Sequence, residues 1–199
     1  MIYVKTIMKK IIYEGLPEGL YELKKFKSTM DNLDGSAELA SSFNEDDGDL
    51  SVLWYGGLVV VRLDYYPGDK KSRVTLFGDE DHIIFFEKHL KNPILSTKRA
   101  SSKRVYSGDD TTFFGIEPFM NFMDSLPGAE IVSETGTWAS GVHDYCHMQW
   151  LQRPGVVVSY SRVDKRIRQE GNLVGVRLIG DWNKIGVLEQ TILDEAKKL

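Results

Sequence analysis

One cysteine, Cys146, is all the sulfhydryl chemistry that 199 residues carry, so no disulfide can close within the chain, as suits a reducing compartment. Long apolar runs are also missing. No stretch approaches the ~20 apolar residues of a membrane span, and the opening "MIYVKTIMKKIIYEG" never sustains the core of a signal peptide. A cytoplasmic protein with no membrane partner is expected, with residues 1–9 as an N-terminal extension and Met8 as an alternative start. A basic excess is lacking too: 25 Lys and Arg stand against 29 Asp and Glu, a net charge of −4. The deficit lies in residues 1–97, with 12 basic and 16 acidic residues; residues 98–199 hold 13 of each. Such a chain has no global attraction for nucleic acid or anionic lipid, so binding them requires a local basic patch. The familiar catalytic signatures are absent as well: there is no G-x-G-x-x-G, no Walker loop, no G-x-S-x-G, no H-E-x-x-H and no C-x-x-C pair. No cofactor and no metal are expected.

What the chain does have is repetition. "VTLFGDEDHI" (74–83) and "VRLIGDWNKI" (176–185) share five of ten residues at a separation of 176 − 74 = 102. Residues 10–35 also meet residues 103–128 without a gap, at a separation of 93. The identities there include Lys10/Lys103, Tyr13/Tyr106, Phe26/Phe119, Met30/Met123, Asp31/Asp124 and Gly35/Gly128. Trp54 matches Trp150, and "GLVV" at 57 matches "GVVV" at 155. Weak matches in one order, at slowly growing separations, indicate an internal duplication. The first repeat spans 10–92, a linker 93–102 and the second repeat 103–199, the two expected to form one continuous fold.

Each copy reads as strand, helix, four strands, helix. "KKIIYEG" and "KRVYSG" open it as strands ended by Gly. Leu23, Phe26, Met30 and Leu33 form one helical stripe, as do Ile116, Phe119, Met123 and Leu126. Short strands follow, "AELASSF", "LSVLWY", "LVVVRLDYY" and "RVTLF", before the duplicated Gly-Asp. There Gly78 and Gly180 permit a bend, and Asp79, Asp81, Asp181 or Asn183 can cap a closing helix that buries Ile83, Phe86 and Leu90, or Ile185, Leu188 and Ile192. Capping, rather than catalysis, is the expected role of these carboxylates.

An α+β unit of this order, built twice in tandem, resembles the TATA-binding-protein fold in its order of elements and its duplication. The resemblance implies a curved antiparallel sheet with helices on one face. In that family the concave sheet lies in a DNA minor groove and Phe side chains wedge between bases. At the strand ends where wedges would sit, this chain carries Tyr65 and Tyr66 in one copy and Arg162 and Val163 in the other.

The copies differ at three places. "HDYCHMQW" (143–150) holds two of the four histidines. On a strand, His143 and His147 lie about 13 Å apart at ~3.3 Å per residue, too far for one zinc ion. Alternation puts His143, Tyr145, His147 and Gln149 on one face, an open polar surface for a partner, and Cys146, Met148 and Trp150 in the core. The second difference is "RVDKRIRQEGN", a hairpin carrying Arg162, Lys165, Arg166 and Arg168; a further basic run, Lys98, Arg99, Lys103 and Arg104, lies in the linker segment between the copies. The third, "FNEDDGDLS", is acidic but lacks calcium-loop spacing, and a tight turn accounts for its Gly. A non-catalytic binding protein is the resulting expectation. Its first candidate partner is another protein, in the manner of inhibitors of the toxin-immunity or anti-defence kind, met by the open sheet face and the basic hairpin. Nucleic-acid binding through the same surfaces, and an enzyme or metal site around His143, Tyr145 and His147, are the alternatives.

Overall fold

The structure is a computed structural model that describes residues 7–109, 111–136, 145–152, 155–163 and 173–198. The chain divides into two compact units between Ala100 and Ser101. In the first, β1 (Met8–Gly15), α1 (Leu23–Asn32), β2 (Ser36–Phe43), β3 (Leu50–Gly56), β4 (Val60–Tyr66), β5 (Lys71–Gly78) and α2 (Glu80–Lys91) follow in order. The second repeats the series as β6 (Ser101–Asp109), α3 (Ile116–Ser125), β7 (Ala129–Gly136), β8 (Tyr145–Gln152), β9 (Val156–Val163), β10 (Leu173–Gly180) and α4 (Trp182–Ala196). Hydrogen bonding divides the strands into two antiparallel sheets of five, ordered β1-β5-β4-β3-β2 and β6-β10-β9-β8-β7. The opening strand of each unit thus pairs with its last strand. The final two residues assigned to the linker, Ser101 and Ser102, belong to β6.

Duplication extends to the irregularities. β1 bulges at Ile12 and β6 at Val105, while β2 bulges at Leu39 and β7 at Val132. Both pairs are 93 apart (105 − 12 and 132 − 39), the separation of the opening segments. A bulge changes which side chains face the core, so its position is fixed by the packing beneath it. Strand register also corrects one sequence match. Trp54 lies opposite Val61 and Trp150 opposite Val158, so the equivalent valines are 158 − 61 = 97 apart, one residue out of step with the "GLVV"/"GVVV" match.

Each pair of helices covers one face of its own sheet. Phe26, Met30 and Leu33 of the first helical segment join Ile83, Phe86 and Leu90 of α2 over Trp54, Val61, Leu63, Val74 and Leu76. In the second unit Phe119 and Met123 join Ile185, Leu188 and Ile192 over Met148, Trp150, Val158, Tyr160, Val176 and Leu178. Fully burying each such side chain contributes about 1.5–3 kcal/mol. The helical stripes are local consequences of 3.6-residue periodicity, and they end where Gly35 and Gly128 take φ of 70° and 76°, a region disfavoured for side chains with a Cβ.

The repeated Gly-Asp is a corner. A Cβ on Gly78 would sit 3.0 Å from Val59 Cγ1, and one on Gly180 3.0 Å from the Gly155 carbonyl oxygen, so the β3–β4 and β8–β9 connections press on these glycines. Asp181 caps α4, its Oδ1 accepting from the Asn183 and Lys184 amides at 3.0 and 3.4 Å. Asp79 stands at the matching position with extended backbone, and its carboxylate lies 3.9 Å from His82 Nδ1. Lys10 and Lys103 are repeated because each bonds a glutamate of the closing helix, Glu87 and Glu189, at 2.5 Å.

Candidate functional site: the far face of the second sheet

Strand β8 places Cys146, Met148 and Trp150 in the core, as alternation requires. Burial pushes the Cys146 thiol above its usual range, which is the condition of an inert packed cysteine. The opposite face carries His147 and Gln149, with Tyr145 at the strand's first position. Gln149 is 1% exposed, so this face is not open at its middle. Leu151 and Val157, which share the face and lie opposite each other, are buried as well. Alternation identified the face correctly; its openness depends on what lies over it. His143 and the hairpin residues Lys165, Arg166 and Arg168 lie outside the described residues. Arg162 ends β9 half-buried, opposite Val174 and Cys146, on the face of the core rather than beside His147.

His147 is half-buried, and its Nε2 lies 2.9 Å from the Ser159 hydroxyl. Burial first, and the Arg177 charge second, hold its imidazole below the usual range, so it is neutral near pH 7. A neutral imidazole bonded to a hydroxyl has the reach of a nucleophile–base pair. Among the described residues no three His, Cys, Asp or Glu side chains gather as metal ligands.

Strand register brings a second cation to this face. Across β6, β10, β9, β8 and β7 one row reads Arg104, Arg177, Ser159, Gln149, Ser133. Arg104 and Arg177 stand directly opposite each other, and both are exposed. Neither makes an ion pair or a hydrogen bond among the described residues. Like charges in direct cross-strand opposition are destabilising. The first unit has no such pair: Ile11 and Thr75 occupy the matching places. Sequence reading placed Arg104 in a basic run with Lys98, Arg99 and Lys103, which the fold disperses. Arg99 bonds the Ser96 carbonyl, and Lys103 is engaged by Glu189 and the Trp182 ring. Arg177 was missed altogether. Its signal was present in the repeat, where "VRL" replaces "VTL", but only pairing across β6 sets it against Arg104.

No protein-family model, no curated protein and no solved structure matches this chain.

Proposed function

We propose that the chain is a non-catalytic binding protein whose partner is an acidic surface of another protein, received at the exposed β6–β10 side of the second sheet's far face. The observation that carries this reading is the Arg104–Arg177 opposition: two exposed arginines directly across from each other on β6 and β10, each without a carboxylate partner among the described residues. Arginine forks match carboxylates in bidentate geometry, and a partner carboxylate offsets the repulsion between the two cations. The net charge of −4 favours a folded acidic partner of limited charge over a polyanion, which the rest of the surface repels. Lys165, Arg166 and Arg168, which follow β9 in the sequence, add positive charge suited to such a partner. An inhibitor of the toxin-immunity or anti-defence kind fits this character. The order of elements and the tandem duplication support a TATA-binding-protein-like unit as its scaffold, which concerns architecture and not function.

The test is charge reversal. Arg104→Glu and Arg177→Glu are compared with the unaltered chain by affinity capture from the native source at low and moderate salt. The reading requires a stoichiometric protein, resistant to nuclease, whose affinity falls at least tenfold in either variant. Capture of nucleic acid with steep salt dependence establishes the alternative. Equal capture by all three chains removes the proposed surface.

A further inference from the structure

A cleft of about 240 Å³ opens beside the β4–β5 hairpin of the first unit, lined by Glu14, Tyr66, Asp69, Lys71, Ser72 and Arg73. Two of its lining residues form a cross-strand ion pair: Arg73 Nη2 donates to Glu14 Oε1 at 2.6 Å. Arg73 foremost, with the Lys71 charge a lesser contributor, holds the Glu14 carboxyl below its usual range. The guanidinium retains one buried donor, Nε, with no hydrogen-bond partner. The lining also includes Asp69, in the turn, and Lys71, the first residue of β5, and neither side chain forms an ion pair or hydrogen bond among the described residues. Tyr66 lies directly across from Lys71.

The second unit keeps the scaffold here and drops the chemistry. Register places Ser107 where the first unit has Glu14, Gly175 for Arg73, Leu173 for Lys71 and Val163 for Tyr66. The paired strand ends of this fold therefore form without the ionic set, and strand pairing alone does not call for it.

We propose that this cleft binds a small zwitterion of the α-amino-acid class. Charge balance selects the class. A purely anionic ligand meets Glu14 and Asp69, and a purely cationic one meets Lys71 and Arg73. Only a ligand with both signs gives Lys71 and Asp69 a partner each. Its carboxylate faces Lys71 on the Arg73 side, and its ammonium faces Asp69 with the Tyr66 ring as a further cation acceptor. Size agrees, since the cleft falls below the roughly 300–1,000 Å³ of pockets for drug-sized ligands. The site lies wholly in the first unit, whereas Arg104 and Arg177 belong to the second.

The experiment is a thermal-shift screen of the twenty common amino acids at 10-millimolar order, followed by calorimetric titration of the best one. Its N-acetyl derivative and its carboxamide are titrated in parallel. The expected result is a saturable rise in melting temperature for at least one amino acid, with affinity at least tenfold lower for both derivatives. Lys71→Met and Asp69→Asn should each lower that affinity at least tenfold while the ligand-free melting temperature stays unchanged, and Arg177→Glu should leave it intact. Silence across the screen overturns the proposal. So does a derivative that binds as well as its parent, or a response that survives both cleft variants.

Discussion

The indole Nε1 of Trp54 donates to Oδ1 of Asp31 at 2.9 Å, closing a bond between the core of the first unit and the end of its first helix. The duplicated pair, Trp150 and Asp124, does not repeat it, and Trp150 Nε1 is buried without a partner. The ring packing beneath is nonetheless the same in both units. Phe26 meets Trp54, and Phe119 meets Trp150, with centroids 6.0 Å apart and planes at 74°. The apolar contact survived the divergence of the copies and the polar one did not. Asp31→Ala should therefore lower stability by about 1–3 kcal/mol, the cost of stranding a buried donor. Asp124→Ala, at an exposed site, should stay within about 0.5 kcal/mol. Urea denaturation of the two variants decides it, and equal losses would show that the indole bond contributes nothing.

The corner glycines give a sharper contrast. Gly180 has φ of 156° and backbone 3.0 Å from where a Cβ would stand, whereas Gly186 lies within α4 with nothing in 4 Å. Gly180→Ala should cost about 1–3 kcal/mol through forced displacement. Gly186→Ala should add roughly 0.5–1 kcal/mol by removing backbone freedom from the unfolded chain. A stability gain at both positions would refute the close approach at the corner.

Asp181 tests the cap. Removing its carboxylate strands the Asn183 and Lys184 amides at the start of α4. Asp181→Ala should cost about 1 kcal/mol, and Asp181→Ser should restore most of it, since a serine hydroxyl also accepts from these amides. Calorimetric melting of the two variants measures this, and a serine variant no better than alanine would point to a role other than capping.

His147 sets a pH dependence. Its folded pKa lies below the ordinary 6.5, chiefly through burial and secondarily through Arg177. Above 6.5 the imidazole is neutral in both states and contributes no slope. As pH falls below 6.5 the unfolded chain takes up this proton first, so stability is lost until the folded pKa is passed. His147→Gln should flatten that segment of the profile. Unfolding midpoints at pH 7.5 and 5.5, compared between the two chains, give the readout, and parallel profiles would mean the residue does not couple to folding.

The sequence alone determined what depends on neighbours along the chain. Helical stripes such as Phe26–Met30 and Ile83–Phe86–Leu90 follow from local periodicity, and corners such as Gly180-Asp181 follow from backbone freedom and capping. Because the sequence states each twice, every local reading could be checked against its copy, and the duplication, the order of elements and the packed state of Cys146 emerged from it. Tertiary structure decided what depends on residues far apart. Alternation put Gln149 on the face away from the helices, yet burial is set by what covers a face, and Gln149 proved buried. The opposition of Arg104 and Arg177 joins positions 73 apart (177 − 104) and exists only because the opening strand pairs with the last one. The Glu14–Arg73 pair that lines the cleft arises from that same closure in the first unit. Local periodicity reports which way a side chain points along its own strand. Which charge it meets is fixed by strand order, and strand order is settled by the packing of the whole unit.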